Sequence, residues 1–83
     1  MPSSKFKGVS FRNDNNKWRC KFYVGENQYN LGCYDDEETA AKVWDAAARL
    51  FQSTPVLNFP EFQFEIPPPK VMEAYYKHYN LNQ

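Results

Sequence analysis

Hydrophobic residues recur at every second position over three stretches of the chain and then switch to helical spacing. Residues 6 to 12, FKGVSFR, set Val9 and Phe11 on one side of an extended segment and Ser10 and Arg12 on the other. Gly8 interrupts that alternation, which suggests a bulge or a close backbone approach. NDNN at 13 to 16 is turn material, because Asn and Asp bond their own backbone and tolerate left-handed conformations. The returning stretch, KWRCKFYV at 17 to 24, puts Trp18, Cys20, Phe22 and Val24 on one face and Lys17, Arg19, Lys21 and Tyr23 on the other. After GEN at 25 to 27, QYNLGCY points Tyr29 and Leu31 one way and Gln28 and Asn30 the other. The pattern predicts three short antiparallel strands joined by tight turns, one face buried and one wet.

At DDEETAAKVWDAAARLFQ, residues 35 to 52, β-branched residues thin out and alanine takes over, which predicts a helix. Asp35 with Glu38 three residues on resembles a capping box, and the acids at 35 to 38 sit at the positive end of the helix dipole. Capping accounts for this acidic run better than a metal site does. Ala40, Val43, Trp44, Ala47, Leu50 and Phe51 share one face. Its small alanines would let the helix lie close on the sheet, with Trp44 wedged against Trp18, Phe22 and Leu31.

Beyond Ser53-Thr54-Pro55 the chain turns back through VLNFP, FQFEI at 62 to 66 alternates again, and PPP at 67 to 69 reads as a stiff extended spacer. KVMEAYYKHYNL then places Val71, Tyr75 and Tyr79 on one helical face with Met72 and Tyr76 beside it. This last helix is expected to cover the domain's own core; the alternative is a docking helix for another protein. The expected fold class is α+β: a three-stranded antiparallel sheet packed on one amphipathic helix, plus a C-terminal extension with a short helix. The division expected is a domain over 4 to 60 and an extension over 61 to 83.

Size and composition fit that picture. At 83 residues the chain is one small domain, and its 7 Phe, 6 Tyr and 2 Trp supply much of the core. It contains no apolar run near the roughly 18 residues of a membrane span, and MPSSKFKG lacks a signal-type apolar stretch, so a soluble, intracellular protein is expected. Cys20 and Cys33 lack metal-ligand spacing and are too few for a disulfide framework; both are expected to be reduced, buried packing residues.

Charge changes the picture more. The formal net charge is zero, but residues 1 to 34 carry six Lys and Arg against two acids, whereas residues 35 to 83 carry four against eight. Such asymmetry between halves hints at a polyanionic partner. If the apolar sheet face meets the helix, the opposite face shows Ser10, Arg12, Lys17, Arg19, Lys21, Tyr23, Gln28 and Asn30. Every charge there is positive and the other four side chains can donate hydrogen bonds. A narrow sheet can enter a major groove about 12 Å wide, where Arg reads guanine and Asn or Gln reads adenine. Lys5 and Lys7 would lie at its margin and suit phosphates. A merely solvated basic face is the plainer alternative.

SKFKGV (4 to 9), NKWRCKFYV (16 to 24), YNLGCYDDEETAAKVWDAAA (29 to 48) and LNFP (57 to 60) resemble, in order and spacing, the Apetala-2/ethylene-response-factor (AP2/ERF) DNA-binding domain. The resemblance covers about residues 4 to 60 and implies a three-stranded sheet on one helix, with the sheet in the major groove of double-stranded DNA. It implies contacts from Lys7, which replaces the family's usual Arg before Gly-Val, and from Ser10 and Arg12 on the first strand. It further implies Lys17, Arg19, Lys21 and Tyr23 on the second strand and Gln28 and Asn30 on the third. Asn58 matches the family's structural Asn, which ties the segment after the helix to the sheet. The plant ethylene-response type has Arg at several places where this chain has Ser10, Tyr23 and Gln28, and Trp in place of Asn30. The chain looks closer to divergent members of protists, phage or mobile elements, and the plant type's GC-rich target does not carry over. Gln52 stands where a helix-ending Gly is common, and residues 61 to 83 have no counterpart in the resemblance.

Other functions fit less well. A single-stranded RNA sheet would expose two or three aromatics for stacking, and only Tyr23 points outward. For an enzyme, the sole histidine, His78, sits in the tail as a surface helix residue, and no nucleophile has a base at a recognisable spacing. No cofactor and no metal are expected. The stronger rival is an interaction module that keeps the fold, has lost specific DNA binding and joins a protein assembly through residues 61 to 83. The expectation is a sequence-specific, nuclear transcription regulator binding double-stranded DNA, with Arg12 and Arg19 reading bases and Lys5, Lys7, Lys17 and Lys21 holding phosphates.

Overall fold

Period-two alternation turns into cross-strand pairing over three consecutive strands of the computed structural model, which describes residues 6 to 79. These are β1 (Val9–Arg12), β2 (Lys17–Val24) and β3 (Asn27–Tyr34), antiparallel in the order β1-β2-β3. Asn16 sits at φ 56° in the first turn, and the Asn15 side chain accepts a hydrogen bond from the Lys17 amide at 3.2 Å, so the Asn-rich sequence makes the reversal locally. Val9 pairs with Cys20, and Phe11 with Trp18, whose rings meet edge to face at 5.0 Å. These residues and Phe22, Leu31 and Tyr29 form the apolar side of the sheet.

The third strand departs from strict alternation. Arg19 pairs with Cys33 and Lys21 with Asn30, so Leu31 and Gly32 together face the single Cys20, a bulge with Gly32 at φ 105°. Past that bulge the faces swap. Cys33 therefore shares the outer face with Arg19 and is partly exposed, contrary to the expected buried packing role, while Tyr34 turns inward and donates a hydrogen bond to the Leu31 carbonyl at 2.6 Å. Cys20 is fully buried as expected, and burial pushes its thiol up to about 12, so it remains a protonated packing group.

Helix α1 (Glu37–Phe51) crosses the apolar side of the sheet with Ala40, Val43 and Ala47 buried against it. Its cap is Asp36 rather than Asp35: the Asp36 carboxylate accepts from the Thr39 amide and hydroxyl at 3.0 Å each, and Asp35 is drawn instead to Lys17. Gln52 closes the helix in an extended conformation, its amide donating to the Ala48 carbonyl at 2.9 Å, so no left-handed glycine is needed there. Trp44 packs on Phe22, ring centroids 5.4 Å apart, and against Gly8; Trp18 makes its ring contact with Phe11 at the other end of the strand.

Residues 62 to 66 form no strand; Phe62 and Phe64 turn toward α1 and meet edge to face at 4.9 Å. Helix α2 (Pro69–Tyr79) begins on the third proline of PPP, which suits a first helical turn because its missing N–H is not needed there. It covers the domain's own core through Val71 and Ala74, both buried. Phe51 is the hub of that docking, with ring centroids of Phe22, Tyr29, Tyr75, His78 and Tyr79 between 5.3 and 6.1 Å away. His78 is accordingly not a free surface histidine: its Nδ1 lies 2.8 Å from the Tyr29 hydroxyl and the ring is half-buried.

Gly8 holds the tightest of these approaches. It sits at φ 75°, and a Cβ built there would lie 2.0 Å from the Trp44 indole. Gly8→Ala is expected to cost at least about 2 kcal/mol, because backbone strain and the clash with a packed ring add. Gly25, at φ 61° with open space around it, should accept asparagine for under about 1 kcal/mol. Urea unfolding of the two variants side by side checks the contrast.

Candidate nucleic-acid interface

With one face of the sheet consumed by α1, the alternate residues have only the other face to occupy. Strand register orders them into rows: Arg12 beside Lys17, Ser10 beside Arg19 beside Cys33, Lys21 beside Asn30, and Tyr23 beside Gln28. All eight outer-face residues expected from alternation come together on one surface, joined there by Cys33. Lys7 is exposed just before β1, and Lys5 lies outside the described residues.

The charges on this face divide into two states. Arg12 is bidentate on Asp14, with Nε to Oδ1 at 3.1 Å and Nη2 to Oδ2 at 2.6 Å. Those hydrogen bonds hold the Asp14 carboxyl below its ordinary range and raise the guanidinium. Lys17 pairs with Asp35, which hangs from the sheet end beside the helix cap. Arg19 and Lys21 make no ion pair among the described residues, and the Arg19 Nε is shielded from solvent with no hydrogen-bond partner. The end of the face near the first turn is therefore neutralised, and its middle is not.

One polar side chain on the face also has a structural duty. The Asn30 carbonyl accepts the Gly32 amide at 3.0 Å and so braces the bulge, which leaves its amide nitrogen as the available donor. Tyr23 is 58 % exposed and the only aromatic among the eight, too few for a base-stacking platform.

A second set of residues fixes the margin of the face, and alternation gives no hint of it. Asp45 lies on α1 with 2 % of its surface exposed. Its carboxylate accepts the Asn58 amide at 2.9 Å, the Asn58 side-chain nitrogen at 3.2 Å and the Phe59 amide at 2.7 Å. Asn58 in turn brackets the Lys7 backbone, accepting its N–H at 2.9 Å and donating to its carbonyl at 3.3 Å. The expected tie between the post-helix segment and the sheet is thus present, and Asp45 is its anchor. Arg49 extends it by donating to the carbonyls of Pro60 and Phe62 at 3.2 and 2.8 Å, while the Lys42 ammonium rides over the Phe62 ring at 4.6 Å. In the sequence nothing distinguishes these three charges from ordinary solvated positions on a helix.

Among the described residues no three His, Cys, Asp or Glu side chains converge as metal ligands, and no helix is long and apolar enough to cross a membrane. Comparison with known proteins gives homologues at modest identity. Over 60 residues, 71% of this chain, it is 38% identical to the AP2/ERF and B3 domain-containing transcription repressor TEM1 of Arabidopsis thaliana, covering 16% of that protein. Over 66 residues, 78% of the chain, it is 32% identical to the AP2/ERF and B3 domain-containing transcription factor RAV1 of the same plant, covering 19% of it. A putative AP2/ERF and B3 domain-containing protein of Oryza sativa subsp. japonica is 39% identical over 51 residues, 61% of the chain and 16% of that protein. The chain therefore spans less than a fifth of the length of the curated relatives it matches. No protein-family profile matches it.

Asp45→Ala is expected to destabilise the domain by about 2 to 4 kcal/mol, since it strands three donors around the Asn58 and Phe59 backbone. The loss should appear as a lower Tm and as faster amide exchange at Lys7, Asn58 and Phe59. Exchange unchanged at Lys7 would show that the clamp does not reach the sheet margin.

Proposed function

We propose that this chain, an AP2/ERF-type domain by its homology and its fold, binds double-stranded DNA sequence-specifically with the outer sheet face in the major groove, as part of a nuclear transcription regulator. The names of the relatives, a transcription repressor and a transcription factor, support the regulatory role and speak against an enzyme. The observation that carries the DNA reading is the middle of the outer face, where Arg19 and Lys21 stand unneutralised beside Ser10, Asn30, Gln28 and Tyr23. Neighbouring strands lie about 4.8 Å apart, so three of them span roughly 10 Å between outer backbones. A major groove about 12 Å wide takes such a sheet edge to edge.

The states of the side chains assign the roles. Arg19 leads base readout, because its guanidinium is committed to no carboxylate and can address a guanine edge with two donors. Arg12 must first exchange Asp14 for its ligand, which makes it the weaker reader of the two arginines. Gln28 suits adenine, and Asn30 offers the groove its amide nitrogen. Lys7 and Lys21 take phosphates, with Lys5 beside Lys7 in sequence and Lys17 joining if Asp35 lets it go.

Selection from random duplexes tests the reading. The wild type should enrich one motif, and log affinity for it should fall with log salt at a slope of roughly −3 to −5, at about 0.9 for each of three to six phosphate contacts. Arg19→Ala should weaken the best site by about 1 to 3 kcal/mol and leave nonspecific binding nearly unchanged. Asp14→Asn, which frees Arg12, should tighten binding several-fold while leaving the Tm nearly unchanged, since the pair it breaks is exposed. No enrichment and no salt slope, with the fold intact, would move the function to protein assembly.

A further inference from the structure

The C-terminal helix does more than cover the core. A groove runs between the edge strand β3 and α2, lined by Gln28 and Asn30 from the strand and by Lys70, Glu73 and Lys77 from the helix. The three helical residues lie on one face because their spacings are three, four and seven. All three are exposed, and neither lysine forms an ion pair among the described residues, Glu73 included. Lys77 and His78 also crowd the last turn of the helix. Two uncommitted ammonium groups thus border Gln28 and Asn30, two of the β3 residues on the outer face.

We propose that Lys70 and Lys77 form a second phosphate-contacting rail, so that α2 is part of the DNA-binding surface and not a docking helix for another protein. The inference rests on the major-groove reading of the sheet and deepens it. If three strands lying along the groove nearly fill its width, whatever stands beyond the β3 edge lies over a phosphate backbone rather than over bases. Lys7 occupies the corresponding margin at β1, at the opposite edge of the sheet. Lysine suits this place, since its compact charge on a flexible stem reaches phosphates without demanding fixed geometry. Docking of α2 through Phe51, Val71 and Ala74 holds the rail in position before any ligand arrives. Glu73 lies between the two lysines and opposes the interaction, so it tunes affinity downward.

The test is a salt titration of duplex binding by the full chain, using the motif selected by the wild type and an unrelated duplex. The Lys70→Gln/Lys77→Gln double variant should lose about tenfold or more in affinity at 0.1 M salt, equally on both duplexes, and its log-log slope should flatten by about 2. Lys70→Arg/Lys77→Arg should restore both, and Glu73→Gln should tighten binding on both. A double variant with the wild-type slope and affinity overturns the rail while leaving the sheet reading in place. Loss confined to the motif would also overturn it, since phosphate contacts carry no sequence information. A wild type with no salt-dependent binding at all removes the sheet reading and the rail with it.

Discussion

Everything on the outer face depends on how closely α1 lies on the sheet. Ala40 and Ala47 are fully buried where the helix meets the strands, and the larger side chains at that contact come mostly from the sheet, with Phe22 and Leu31 at 2 % exposure or less. Small residues on the helix and large ones on the sheet let the two layers close without voids, and close packing is what makes the burial count. Because side chains on a strand alternate with period two, committing one face to the helix commits the other to solvent, and a slip of one residue would exchange them. The basic surface is therefore not an independent feature. It is the complement of the core.

The second layer of control is the return of the chain after α1. A buried carboxylate is costly unless its lone pairs are used, and Asp45 uses them on three donors from Asn58 and Phe59. What that arrangement does for the outer face is indirect but definite: it fixes Asn58, and Asn58 fixes both backbone groups of Lys7. A residue at the edge of the sheet, next to a left-handed glycine, would otherwise fray. Asp45 thus positions the margin of the outer face from the helix on the other side of the sheet.

Strands, helix and the eight outer-face positions were legible in the sequence because alternation and helical spacing are local signals, each repeated several times. What escaped was non-local or depended on a single residue. Cys33 changes sides because of one glycine at a bulge, and nothing in QYNLGCY distinguishes that glycine from an ordinary one. The DDEE run offers two adjacent caps, and the choice of Asp36 is settled by the reach of Asp35 to Lys17, 18 residues earlier. The roles of Asp45 and His78 escape for the same reason, since polar residues on helices are normally solvated and their partners, Asn58 and Tyr29, lie 13 and 49 residues away. The ion pairs of Arg12 and Lys17 are likewise invisible to an argument that counts signs on a face.

Those pairs also explain how a chain of zero net charge can present a surface for a polyanion. Half of the acids that balance the count lie at the start of α1 or at the end of the sheet near the first turn, where Asp14 and Asp35 neutralise Arg12 and Lys17. Along β2, Lys17 and Lys21 are four residues apart, roughly 13 Å at the rise of a strand. At physiological ionic strength exposed charges are screened beyond about 8 Å, so the carboxylates at one end barely weaken the field at the other. A ligand approaching the middle of the sheet meets Arg19, Lys21 and the lysines at its margins, not the molecular average. Net charge governs solubility and long-range approach at low salt; the local arrangement governs what is bound.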